Sequence, residues 1–144
     1  MATSALGCPV CTGTPSVVVA VAHQTLRTLI VEMLERDKAR WLVRSVANNL
    51  DLAVIVAAEE PDLVILDAGD FVRSSRRPLQ TYSPERAIVV NPEADVAYED
   101  AARRGGAGAW LISDRLGEDL GGCMRTVLGC THGVAGALIR PAFC

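Results

Sequence analysis

The chain has 144 residues, 50% of them hydrophobic and 22% charged, with a formal net charge of −3. That length and composition exclude a disordered chain and predict one domain that buries a core without disulfide staples. The acidic balance argues against a protein whose main work is neutralising nucleic-acid phosphates, and no apolar run reaches the roughly 18 residues of a bilayer span.

The first fifteen residues lack a basic start followed by an apolar stretch, so the expected setting is cytoplasmic, away from membranes. They form a Gly/Pro/Thr/Ser-punctuated tail at 1–15, ahead of an ordered body at 16–129 and a second tail at 130–144. The run Val17 to Ala22 is too short for a buried helix and too uniformly apolar for a half-exposed strand, which predicts a central parallel strand. Leu26, Leu29, Ile30, Met33 and Leu34 then fall at helical spacing, with Glu32, Glu35 and Arg36 opposite them. Trp41 to Val46 is β-rich. Asn48 and Asn49 offer a helix cap, and Leu50, Ala53, Val54, Ala57 and Ala58 form a second stripe that Pro61 ends.

Asp62 to Asp67 reads as a buried strand closed by a carboxylate, and Ala87 to Val90 repeats the pattern before Asn91-Pro92. Between them the third helix is expected to be short or distorted, because 73–78 and 81–84 are rich in breakers. Asp95 to Arg104 predicts a short helix stopped by Gly105-Gly106, and Gly108 to Ile112 a fifth strand. Leu116, Leu120, Cys123, Met124, Val127 and Leu128 line one face of a last helix, which Gly117, Gly121 and Gly122 weaken by up to ~1 kcal/mol each. Strand and helix alternating in this way predict an α/β fold: one doubly wound, flavodoxin-like domain with five parallel strands in the order 2-1-3-4-5. Ligands and reactive groups of such sheets gather beyond the strand carboxyl ends, here Ala22-His23, Asp67, Asn91 and Ser113. No Gly-rich phosphate loop follows the first strand and no Gly-x-Ser-x-Gly elbow occurs, so nucleotide binding and Ser-His-Asp hydrolysis lose their support and no enzyme is expected.

Several pieces in order resemble the receiver domain of two-component response regulators over about residues 16–129. They are Val21-Ala22-His23 leading to Leu26-Arg27, where many receivers carry Asp-Asp-His; Val46-Ala47-Asn48; Pro61-Asp62-Leu63-Val64-Ile65-Leu66-Asp67; and Gly106-Ala107-Gly108-Ala109-Trp110-Leu111-Ile112-Ser113. The family's third-strand Asp attacks a phosphoryl donor, two acids after the first strand hold Mg²⁺, and a Thr/Ser and a Lys after the fourth and fifth strands bind the phosphoryl oxygens. The resemblance makes Asp67 the acceptor equivalent, places Val21 and Ala22 in the acidic pair, Asn91 at the hydroxyl position and Ser113 at the Lys position, and makes Trp110 the switch aromatic. With Asp67 as its one carboxylate, the pocket lacks the charge that a hard cation requires, so Mg²⁺ is not expected.

The resemblance thus implies an atypical, degenerate receiver (a pseudo-receiver) that signals through a protein partner such as a kinase or transcription regulator, without Mg-dependent phosphorylation. It also implies a possible homodimer through Val96 to Arg104 and Leu116 to Val127. A working phosphoacceptor at Asp67 is one alternative; otherwise that carboxylate is expected to hydrogen-bond nearby backbone or Asn91 and Ser113. Ser113 also reads as a helix N-cap before Asp114, and Trp110 as a cover for the sheet edge. The family's Met-Pro-x-x-Asp-Gly turn is replaced by Ala68-Gly69-Asp70-Phe71-Val72. Direct nucleic-acid binding is not expected, since no helix-turn-helix pattern follows the last helix.

Five cysteines in a reducing compartment read as thiols or metal ligands. Cys123 falls on the apolar stripe, as a small hydrophobe. Cys8-Pro9-Val10-Cys11 has the spacing of a zinc or iron–sulfur half-site, and the topology brings it towards Cys130 and His132, with Cys144 a possible substitute ligand. A metal-binding or redox-sensing regulator on these residues is the other alternative, beside unliganded tail thiols. His23 opens the first helix in a structural or solvent-facing role. Arg73, Arg76 and Arg77 form a small basic patch that an acidic partner could meet.

Overall fold

In the computed structural model, which describes residues 13–37, 40–46, 49–75 and 82–129, every strand pairs in parallel. The strands are β1 (Ser16–Ala20), β2 (Leu42–Val46), β3 (Leu63–Asp67), β4 (Ala87–Asn91) and β5 (Ala109–Ile112). The helices are α1 (Gln24–Arg36), α2 (Asn49–Glu59), α3 (Ala68–Ser75), α4 (Val96–Arg104) and α5 (Leu116–Val127), with 3₁₀ turns at Pro84–Arg86 and Ser113–Arg115. The sheet order β2-β1-β3-β4-β5 is the one the alternation predicts.

Side chains alternate across the sheet and feed two cores. Val17, Val19, Ile65, Ile88, Val90 and Leu111 lie under α1 and α5, and Val18, Ala20, Val64, Leu66, Val89 and Trp110 under α2, α3 and α4. Covering both faces is why β1, β3 and β4 read as unbroken apolar runs. At the amino end of the sheet Ser16 and Asp62 bond reciprocally: the Ser16 N–H reaches Asp62 Oδ2 at 2.8 Å and the Asp62 N–H reaches Ser16 Oγ at 3.0 Å. At the same end Asp37 Oδ2 accepts from Trp41 Nε1 and from Arg125 Nη2, each at 2.8 Å, which ties the exit of α1 to α5.

Two helical stripes depart from the sequence reading. On α1, Leu26, Ile30 and Leu34 are buried, but Leu29 is 41% exposed. On α2 the expected face is out of phase: Leu52, Ile55 and Val56 are buried, whereas Ala53, Ala57 and Ala58 face solvent and Val54 is 68% exposed. The helix is apolar on nearly every side, so periodicity does not choose a face; the larger side chains win, because they remove more apolar area from water. Glu60, at φ 45°, then ends α2 in a left-handed turn before Pro61.

On α5, Leu116, Leu120, Cys123, Met124 and Leu128 are buried as expected, and Val127 is partly so. The third helix is indeed short, eight residues, and starts at Ala68 directly after Asp67 with no loop residue between strand and helix. No helix among the described residues is long and apolar enough to cross a membrane.

Candidate functional site

β1 stops pairing at Ala20, two residues earlier than the apolar run suggests, and the chain beyond it turns over the sheet's carboxyl edge. Val21 stays fully buried in the α1/α5 core, and Ala22 is exposed. The Ala22 backbone N–H points at β3 and donates to Asp67 Oδ2 at 2.6 Å. Asp67 therefore takes its bond from nearby backbone, one of the two outcomes expected of it. Arg27, one turn into α1, folds back so that Nη1 donates to the Val21 carbonyl at 2.7 Å and lies 3.4 Å from the Ala22 carbonyl.

His23 caps α1: its Nδ1 accepts from the Leu26 N–H at 3.2 Å while the ring faces solvent, which joins both readings of this residue. On the other side, the first turn of α3 contributes Asp70, which is buried and ion-paired to Arg73. A Cβ on Gly69 would lie 3.5 Å from the Arg73 guanidinium and 3.7 Å from Tyr98 Oη, so those two groups converge over the start of the helix. Arg73 is thus engaged within the chain; Arg76 and Arg77 lie outside the described residues.

The Asp67 carboxyl is held above its ordinary value. Burial is the largest cause, and the neighbouring Asp70 adds to it; the Ala22 N–H, His23 and Arg73 oppose them. Burial thus outweighs the groups that favour the charged form.

Neither Asn91 nor Ser113, at the remaining strand ends, is hydrogen-bonded to Asp67. Asn91 extends β4, and its Nδ2 donates to the Glu93 carbonyl at 2.7 Å, closing the turn behind the strand. Ser113 is not a side-chain N-cap: it opens the 3₁₀ turn, its carbonyl accepts from the Leu116 N–H, and α5 begins without a capping side chain. A short turn placed between strand and helix satisfies the first N–H groups by backbone bonds and leaves the hydroxyl unused for capping. Trp110 is buried on the α4 side of edge strand β5, which fits its reading as a cover. Cys123 is buried with a reduced thiol.

The donors at this edge do not suit a divalent cation. Of the two carboxylates here, Asp67 accepts from the Ala22 N–H and Asp70 is ion-paired to Arg73; the two main-chain carbonyls beside them already meet a guanidinium, and the side chains of Val21 and Ala22 offer no oxygen. Among the described residues no group of three His, Cys, Asp or Glu stands close enough to hold a metal ion. Cys8, Cys11, Cys130, His132 and Cys144, the candidate zinc or iron–sulfur ligands, lie outside the described residues.

Sequence reasoning missed Arg27, Asp70 and Tyr98 as members of this site. Asp70 and Arg73 carried a signal, an acid and a base at i, i+3; Arg27 entered only as a piece of the resemblance, with no role attached, and Tyr98 carried no signal, since its place depends on how two helices lie on the sheet.

No protein-family model matches the chain, and no curated protein matches it. Solved structures do. The signal receiver domain of a response regulator from Bermanella marisrubri is 23% identical with a TM-score of 0.58, over 76% of this chain and 98% of that one. A DNA-binding response regulator of the LuxR family from Staphylococcus aureus is 20% identical with a TM-score of 0.62, over 79% and 98%. A two-component response regulator of the same family from an Aurantimonas species is 14% identical with a TM-score of 0.67, over 81% and 86%. The fold is that of receiver domains. Within it, Asp67 occupies the carboxyl end of the central third strand, and the receiver fold is built by a sequence that shares under a quarter of its residues with these neighbours.

Proposed function

We propose that this chain is an atypical, receiver-like signalling protein that acts by binding a protein partner, and that Asp67 is an anchored structural carboxylate rather than a Mg²⁺-dependent phosphoacceptor. The observation that carries this reading is the 2.6 Å bond from the Ala22 N–H to Asp67 Oδ2. It lies where an acidic pair would have to gather a cation. Phosphoryl transfer to a carboxylate depends on positive charge held against the transferring oxygens, and electrostatic stabilisation of that kind supplies most of the acceleration. Here Arg27 is committed to main-chain carbonyls and Arg73 to Asp70, while Asn91 is turned to its own loop. What remains is a scaffold whose surfaces, not its chemistry, carry the signal. Partners of the kind implied are a kinase, a transcription regulator or another signalling protein, and the exposed Val96 and Tyr98 on α4 are apolar groups available to one of them or to a second copy.

Incubation with acetyl phosphate and Mg²⁺, followed by intact mass measurement, tests the proposal. The expected spectrum shows unmodified protein for the wild type and for Asp67→Ala alike. A single phosphoryl adduct on the wild type that is lost in Asp67→Ala overturns it.

A further inference from the structure

Between α1 and α5 runs an open groove of about 600 Å³. Leu29 and Met33 line it from α1, Leu120 and Met124 from α5, and Leu29 is left 41% exposed. Apolar surface of this kind, rimmed by charges, is what an interface covers. α5 also bares its backbone here: a Cβ placed on Gly117 or Gly122 would meet nothing within 4 Å. Alanine at either position would favour the helix, so the missing methyl groups serve no contact among the described residues and leave room for a neighbour to come close.

The charges in the lining select that neighbour. Both helices run from the carboxyl edge of the sheet towards its amino end, where Asp37 and Arg125 join them. Arg36, the last residue of α1, therefore stands at the amino end of the groove, and Glu118, in the first turn of α5, at the other. Asp37, the remaining charge in the lining, is engaged by Trp41 and Arg125, whereas Arg36 has no ion pair among the described residues. Glu118 is exposed, 3.7 Å from an Arg115 that lies nearer to Asp119, at 3.3 Å. A cation at one end and an anion at the other make the groove complementary to itself reversed. A two-fold axis across it sets Arg36 against Glu118 of a second copy and Glu118 against that copy's Arg36, so the pair forms twice. The same reversal brings Leu29 and Met33 of both copies into one shared space.

We propose that two copies of this chain pair antiparallel through the α1/α5 groove, with reciprocal Arg36–Glu118 ion pairs at its two ends. This pairing is independent of how Asp67 is used. It differs from the α4 and α5 contact that the receiver resemblance implies, because α1 takes the place of α4 and the exposed Val96 stays outside the interface.

Sedimentation equilibrium of the full-length chain, from micromolar to millimolar concentration, tests it. A reversible monomer–dimer equilibrium is expected. Arg36→Glu and Glu118→Arg should each raise the dimer Kd about tenfold, since either change alone sets like charges together at both ends, and the double reversal should restore association. Gly122→Leu fills space that is empty in the monomer, so it should keep the far-UV circular dichroism and abolish the dimer, while Val96→Glu should leave the dimer intact. A chain that stays monomeric throughout overturns the proposal. So does a dimer that survives Gly122→Leu, one that Val96→Glu dissociates, or a double reversal that associates no better than the single ones.

Discussion

Asp67 stands where burial works against its charge and one short main-chain bond works for it. The balance sets a pH dependence. Because the folded carboxyl titrates above its ordinary value of 3.8, the native state keeps this proton to higher pH than the unfolded chain does. The group's contribution to stability is therefore fully present below 3.8 and is lost as pH rises through the folded value, since the unfolded state ionises first. Asp67→Asn keeps an oxygen for the Ala22 N–H without a charge, so it is expected to be more stable than the wild type at pH 7. The advantage should shrink on acidification through that window, as urea midpoints at neutral and acid pH would show; a difference that does not change with pH would refute the assignment. Asp67 itself was legible in the sequence, because a carboxylate that ends an apolar strand after Pro61 has few other readings. Its partner was not, since a backbone N–H leaves no trace in the identity of Ala22.

At the scale of elements, strands were easier to read than helix faces. A strand buried on both sides must be apolar throughout, so β1, β3 and β4 announced themselves, with errors of one or two residues at their ends. The α2 face was illegible for the opposite reason: small and large apolar residues surround the whole helix, and size decided what packed. That correction is testable. Leu52→Ala should cost about 2–4 kcal/mol, the transfer and cavity cost of a buried leucine. Val54→Glu, on the exposed face, should change stability by less than about 0.5 kcal/mol. Chemical denaturation of the two variants checks this, and the reverse order would restore the face first read from the sequence. Gly108 is a second fixed point. A Cβ there would stand 2.4 Å from the Glu85 carbonyl oxygen, a backbone atom that has nowhere to go, so Gly108→Ala is expected to lower Tm markedly.

Across the whole molecule, one sheet serves as the shared wall of two apolar layers, so neither layer can come apart while the other persists. The chain's two tryptophans report on them separately: Trp110 lies in the layer beneath α2, α3 and α4, and Trp41 packs against the one beneath α1 and α5. Single-tryptophan variants, Trp41→Phe and Trp110→Phe, should give urea transitions that coincide with each other and with far-UV circular dichroism. Separated midpoints would mean that the layers unfold independently. Fold class and strand order were legible at this scale, because alternating elements and right-handed crossovers leave few topologies. The faces through which the molecule meets others were not, since a surface patch has no period to read.

The direct passage from Asp67 into Ala68 leaves no slack between the sheet and its third helix. Adding one residue there would re-phase α3 by about 100° and swing the fully buried Phe71 out of its seat beside Gly105. The junction can therefore drift in composition but not in length. Descendants of this sequence will align across it without gaps, and a linker or tag spliced into this point would dismantle the layer it feeds.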